Sequence, residues 1–525
     1  MKNTIFLLVS TLFIYACGSY KNTDTSTNIV NKTPANITEF ASTITASKLK
    51  EMLYTYASNE FEGRETAQPG QKKAIEYIKN HYVNLGVSSP ISKGNFFQKV
   101  PLQIVKTPKT SLVVNGTVFN YFDDYISQTV APTGIINTNQ IVYLGYGIDH
   151  ENYSDYKNID VEGKIVVVKG GEPKNENGTY KVSGTTKISK WSNGRQSLPT
   201  KRDAAKKHGA IALFFMENTL FTKYSPLYKR SAQKGGNKML SLISQKKEIY
   251  FFLINEKLGK ALINNIEENT TASQVDNTTI ELQYESVIET TYSENVVAHI
   301  EGTEKPEEYI VISAHLDHIG IHDGVVNNGA DDDGSGTVAV LEIAEAFKTA
   351  VNNGYKPKRS ILFLHVTGEE KGLLGSRYYT DYNPIIPLKN TVANLNIDMI
   401  GRIDPKREGN RNYIYLIGSD KLSTELHIIS EDINSKYTNI ELDYTYNDEN
   451  DPNRFYYRSD HYNFAKNNIP VIFYFNGTHA DYHKPTDTPD KIEYDLLENR
   501  ARLVFYTAWQ LANQEKRIKV DITTN

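Results

Sequence analysis

From about residue 294 onward the chain follows a single alternating pattern, which constrains its fold more than any other feature. Apolar runs of strand length lie at 309–314, 361–366, 392–398 and 469–475, and helical stretches at about 334–351, 420–436, 459–467 and 494–514 separate or follow them. The run Ile361-Leu362-Phe363-Leu364 reads as a strand buried on both faces. Strands alternating with helices predict an α/β sheet over this whole region.

The preceding half is built differently. Residues 45–86 read as helical, with Ile75, Ile78, Tyr82 and Leu85 three and four apart and Gly86 closing the stretch. The loop "FEGRETAQPG" divides the two helical parts. Short alternating runs then occupy 95–145, with Asn115-Gly116 as a hairpin signal, and alternation returns at 250–290. Between them lie a strand, "GKIVVVKGG", and a basic helix running into a strand, "KRDAAKKHGAIALFFMEN". At 525 residues the chain is too long for one ordinary core. Residues 40–95 alone offer helices and little core, so a discontinuous domain, 41–100 with 291–516, interrupted by a β-rich insert at 101–290, is the expected division.

The N-terminus is expected to lie outside the fold. Lys2 precedes an apolar run from Ile5 to Ile14, long enough for the core of an export signal and too short to span a bilayer. It ends in "IYACGS", which resembles a bacterial lipoprotein box: residues 1–17 would be the leader, and cleavage would leave Cys17 as a lipidated first residue. Cys17 is the sole cysteine, which rules out a disulfide within the chain and a cysteine metal site. Residues 18–40, rich in Ser, Thr and Asn, read as a flexible tether. The expected location is therefore an exported lipoprotein held at a membrane by the lipid on Cys17, periplasmic or at the outer membrane or cell surface. A net charge of −4 gives no electrostatic case for nucleic acid.

Chemistry concentrates at the ends of the C-terminal strands. His315 and Asp317 follow the first, Glu369 and Glu370 end the second, and Asp398 ends the third. "NNGADDDGSG" (327–336) is a Gly- and Asp-rich loop entering a helix, and "THADYHKPTDTPD" (478–490) follows the last strand. Ligands of open α/β sheets bind beyond the carboxyl ends of the strands. Paired glutamates at an interior edge are costly unless something positive lies beside them. Carboxylates mixed with imidazoles suit zinc, and several carboxylates together suit a two-metal site.

His315-x-Asp317, "GADDDGSG", "GEEKGLLGS", "NIDM" and "YHKPTDTPD", in this order, resemble the co-catalytic di-zinc aminopeptidases, whose relatives include glutamate carboxypeptidase and the transferrin receptor ectodomain. The likeness covers 294–514, and "FEGRET" with the helix after it resembles the family's lead-in. It implies a zinc-exopeptidase fold, a mixed central sheet sandwiched by helices. It also implies two Zn2+ per chain, peptide substrates and removal of N-terminal residues. Carried across, His315 and Asp398 would hold one zinc, Glu370 and His483 the other, and Asp332 would bridge them. Glu369 would be the general base that takes the proton of the bridging water, and Tyr482 an oxyanion-stabilising phenol. Asp317 would fix the His315 tautomer from behind. The resemblance further implies a cis peptide at Asp332–Asp333.

His318, His322 and His365 are expected to be loop or packing residues, His479 is the rival to His483, and Asp331 and Asp333 are expected to shape their loop. "SDHYNF" resembles a pocket-lining segment, which makes Asp460 and His461 further candidates. The insert resembles a protease-associated domain, without chemistry of its own. The alternatives are a carboxypeptidase of the same fold, using Arg402 or Arg458 to hold a substrate carboxylate, a glutaminyl cyclase, and a non-catalytic receptor-like ectodomain.

Overall fold

The computed structural model describes residues 35–522, apart from 128–129, 234–238, 244–247, 269, 271–272, 276–277 and 408. The expected leader, Cys17 and nearly all of the tether lie outside the described residues. From Ile37 onward the chain is one compact unit.

Arg359–Val366, Lys305–His315, Thr391–Ile397 and Val471–Phe475 lie side by side in that order, all parallel, in the middle of a nine-stranded sheet. Every residue of Arg359–Val366, Thr391–Ile397 and Val471–Phe475 is buried, which is why residues 361–364 and Val471–Phe475 are apolar without alternation, while the buried Asn394 and Asn396 donate to Ser313 and Ser459. Successive side chains enter two cores. Leu362 and Leu364 pack with Tyr379 and Phe464, from helices Leu374–Asp381 and His461–Ala465. Phe363, between them, meets Phe347 of helix Gly336–Asn352, which in turn packs on Phe505 of helix Tyr494–Asn513. The sheet is thus covered by helices on both faces. Parallel neighbours need a crossover, and Gly336–Asn352 supplies the one from Lys305–His315 to Arg359–Val366.

Antiparallel strands flank this centre and make the sheet mixed. Ile288–Ile300 pairs with Arg359–Val366 on one side, and Tyr413–Ile417 pairs with Val471–Phe475 on the other, followed by Glu441–Asp443. Neither Tyr413–Ile417 nor Glu441–Asp443 is anticipated in the sequence. Phe97–Val105 pairs with Ile288–Ile300, and Met239–Leu242 pairs with Phe97–Val105 at the edge. The position expected to open the insert, residue 101, therefore lies inside a strand of the large sheet, because the chain extends that sheet on its way out and back.

Between those strands the chain builds two smaller sheets. One has six strands around the four parallel ones Ile141–Tyr143, Ile165–Lys169, Ala212–Met216 and Tyr250–Ile254; the other has four antiparallel strands. Ile165 and Val167 share a core with Leu112 and Leu282 of the four-stranded sheet. Val166 and Val168 pack instead with Leu198, Ala204 and Phe221, from helices Ser197–Lys207 and Asn218–Gln233. Among the described residues no helix is long and apolar enough to cross a membrane.

Candidate metal centre

The parallel strands end together, so their carboxyl-terminal residues converge. His315 is the last residue of its strand, and Asp398 follows Thr391–Ile397 directly. Glu369 and Glu370 lie in the turn after Arg359–Val366, and His483 comes from the loop after Val471–Phe475. Asp332 enters from the loop before helix Gly336–Asn352, and its peptide bond to Asp333 is cis, as the resemblance implies.

These side chains form two groups that share Asp332. His315 Nε2 is 3.2 Å from Asp332 Oδ1 and 3.6 Å from Asp398 Oδ1. His483 Nε2 is 3.0 Å from Asp332 Oδ2 and 3.1 Å from Glu370 Oε2. The five expected ligands thus fall into two groups, with Asp332 common to both. His318, expected to be a packing residue, is fully buried with Nδ1 2.9 Å from Glu370 Oε1 and 3.8 Å from Asp332 Oδ2. Its place beside the second group was missed because the direction of its ring depends on the path of the loop after His315, which no spacing reveals.

Several of these atoms are buried without an aligned hydrogen bond: His315 Nε2, Asp332 Oδ2, Glu370 Oε1 and both ring nitrogens of His318. Orphaned donors and acceptors of this kind are rare in a folded interior. Two nitrogen- and carboxylate-bearing sets, His315–Asp332–Asp398 and His318–Asp332–Glu370, lie close enough to surround a cation. The donor chemistry fits zinc. Electrostatics agree: burial works against protonation of His315 and His483, yet Asp398 and Asp332 hold His315 well above the usual imidazole range, and Asp332 and Glu370 raise His483 to about 10. The pocket attracts positive charge.

The surroundings fix the set. Ser459 Oγ donates to Asp398 Oδ2 at 2.6 Å. Asp333, expected to shape the loop, accepts N–H bonds from His315, Gly336 and Met399. Asp331 accepts from Gly401 N at 2.7 Å and lies 3.2 Å from His479 Nε2, so His479 braces the loop while His483 faces the shared aspartate. Asp487 accepts the N–H groups of Asp331 and Asp332 at 3.0 and 3.2 Å.

Asp317 meets His315 through its backbone, and its carboxylate turns elsewhere. His315 Nδ1 is 3.0 Å from the Asp317 backbone carbonyl but 3.9 Å from its carboxylate. The carboxylate instead accepts from Thr66 Oγ1 at 2.7 Å and from Glu369 N at 3.2 Å. Thr66 belongs to "FEGRET", so the lead-in loop braces the turn that carries Glu369.

Glu369, Asp332, Asp398 and Tyr482 line one cavity with Met399, Phe455, Phe473 and Phe475. Burial first, then Glu370, Asp398 and Asp460 against the opposing His315, raises the Glu369 pKa well above the ordinary carboxyl range. Tyr482 stacks on His483 at 3.9 Å between ring centroids, and burial with the nearby carboxylates keeps its phenol protonated. Of the further candidates, Asp460 is buried and bonded to Ser376, and His461 stacks on Phe473, its pKa lowered to about 3 by burial; neither lines the cavity. His365 bonds to Tyr82 in the core, and His322 is exposed on a hairpin, as expected.

Comparison with known proteins follows the same lines. Residues 295–508 match the model of Peptidase family M28. Aminopeptidase YwaD of Bacillus subtilis (strain 168) is 26% identical over 238 residues, 43% of this chain and 46% of that protein. Glutamate carboxypeptidase 2 homolog of Caenorhabditis elegans is 31% identical over 122 residues, 23% of this chain and 15% of that protein. The chain therefore spans less than half the length of either relative. An aminopeptidase from Aneurinibacillus sp. strain AM-1 shares the fold, with a TM-score of 0.50 at 20% identity over 93% of this chain and 98% of that one. Residues 295–508, the stretch that carries both residue groups, are thus similar to Peptidase family M28.

Proposed function

We propose that the protein is a zinc-dependent exopeptidase that removes N-terminal residues from peptides. One observation carries the reading: two groups of buried ligands share Asp332, and Glu369 faces the same cavity beside them. In this reading His315 and Asp398 would hold one of two zinc ions, Glu370 and His483 the other, with Asp332 available to both. Bound zinc would supply Lewis acidity toward the substrate carbonyl and the attacking water. Glu369, as carboxylate, takes the proton of that water and delivers it to the leaving amine. The Tyr482 phenol donates to the oxyanion that develops on the carbonyl. Asp317 and Thr66 hold the Glu369 turn in place.

The reading extends to the rest of the chain. The small sheets within 101–290 would form a protease-associated-like cover beside the peptidase domain, and a lipid on Cys17 would hold an exported protein at its membrane.

Mass spectrometry of a mixed peptide pool tests the activity, with a chelated control. Ladders shortened from the amino end, absent with chelator, are the expected result; shortening from the carboxyl end would replace the reading with a carboxypeptidase. Glu369→Gln tests the mechanism. It should lower turnover by roughly 10²–10⁴-fold, the range for a general base, while zinc content stays constant. Loss of zinc from that variant would overturn the separation of base from ligand.

A further inference from the structure

We infer that Arg458 is the group through which this site recognises a carboxylate on its substrate. The inference rests on the peptidase reading above and narrows its substrate class. Arg458 lines the same cavity as Asp332, Glu369 and Asp398, so a group bound to it lies within one substrate of the reacting carbonyl. Part of that cavity is an aromatic cup of Phe455, Phe473 and Phe475 with Met399, and its hydroxyl groups, on Ser459, Thr478 and Tyr482, carry no positive charge. Such a cup takes the methylenes of a side chain but offers no cation to a charged end. Arg458 supplies what the cup lacks.

Its guanidinium is held and uncommitted. It lies 4.9 Å from the centroid of the Phe455 ring, an arrangement that steadies a cation without neutralising it. Next along the chain, Ser459 is tied to Asp398, which fixes the Arg458 backbone to the metal-holding residues. The other arginine considered for this task, Arg402, is engaged by Asp481 at 2.9 Å and approaches Asp487 at 3.9 Å, and Arg407 is likewise paired with Glu441 and Asp443. Arg458 is exposed and makes no ion pair among the described residues. A planar guanidinium beside an apolar cup matches a carboxylate bidentately. That carboxylate has two possible sources: the side chain of the first residue, as in an N-terminal glutamate, or the terminal carboxylate of a short peptide.

Paired substrates separate these sources. The zinc-loaded protein and its Arg458→Ala, Arg458→Lys and Arg458→Glu variants are assayed on glutamyl against glutaminyl anilides, and on Ala-Leu against its C-terminal amide. The wild type should favour the carboxylate member of one pair by about tenfold, the lower end for a charge-assisted hydrogen bond at a solvent-facing position, mainly through KM. Preference for the glutamyl anilide assigns the side chain, and preference for free Ala-Leu assigns the terminus. Arg458→Ala should erase the preference, Arg458→Lys restore part of it, and Arg458→Glu reverse it. Equal rates within both wild-type pairs, or an equal loss on both members in Arg458→Ala, would overturn the inference. If no substrate is cleaved, the peptidase reading fails, but calorimetry still decides on Arg458. Binding of glutamate over glutamine, or of Ala-Leu over its C-terminal amide, that weakens in Arg458→Ala upholds the inference, and equal binding within both pairs refutes it.

Discussion

Arg64 carries a stability prediction that can be worked from its bonds. It is fully buried in the "FEGRET" loop, and its guanidinium donates to four backbone carbonyls. Nε reaches Leu316 O at 3.3 Å, Nη1 reaches Tyr56 O at 3.2 Å and Asn328 O at 2.7 Å, and Nη2 reaches Gly329 O at 2.8 Å. Arg64→Met keeps much of the volume and removes every donor. Leu316 O retains the Tyr56 hydroxyl at 2.8 Å, and Gly329 O retains the N–H of Gly334. The carbonyls of Tyr56 and Asn328 keep no donor among the described residues. Two orphaned buried carbonyls at about 1–3 kcal/mol each, with two weakened ones at about 1 kcal/mol each, set against the desolvation of a charge no longer buried, give a net loss of about 4 kcal/mol. Guanidinium denaturation of the zinc-loaded protein measures it. Leu316 lies between His315 and Asp317, and Gly329 lies three residues before Asp332, so zinc should also be released at a lower chelator concentration. A loss below about 1 kcal/mol would mean that the loop finds other donors and that Arg64 does not hold the two metal-bearing segments together.

The parts of this molecule legible in its sequence are those set by local pattern. The parallel strands are buried on both faces and so read as largely apolar runs, and a residue at the end of such a run, like His315 or Asp398, is placed by chain adjacency alone. The loop residues that shape Asp332 were legible because "GADDDGSG" brings its own bonding partners, as the contacts of Asp333 with Gly336 and His315 show. What was not legible depends on tertiary approach. Gly329 passes so close to His318 that a Cβ there would lie 2.5 Å from the imidazole Cγ, and this squeeze leaves the ring beside Glu370. Similarly, the sequence pairs His315 with Asp317 without saying by which atoms, and Thr66, some 250 residues earlier, takes the carboxylate and leaves the backbone carbonyl to His315. Tyr413–Ile417 was missed because a five-residue run after "KREGNRN" gains strand character only from its neighbour Val471–Phe475.

Two further perturbations probe the chain at opposite ends of its organisation. Cys17→Ser should move the protein from the membrane to the soluble fraction of cells that produce it, and continued membrane association would remove the lipid anchor from the reading. The second concerns Glu342, which is buried within helix Gly336–Asn352 with Oε2 lacking a hydrogen-bond partner. Burial, opposed by Lys48 and reinforced by Glu345, raises its pKa from 4.5 to about 8. Between those values the folded protein holds a proton that the unfolded chain releases. The associated stability is complete below pH 4.5 and is lost as pH rises toward 8, by up to about 1.4 kcal/mol per pH unit. Glu342→Gln keeps the shape and removes the titration. Its melting temperature should match the wild type near pH 5 and exceed it increasingly toward pH 8. A difference that stays constant across that window would show that Glu342 is ionised in the fold, with Lys48 as the stronger of its neighbours.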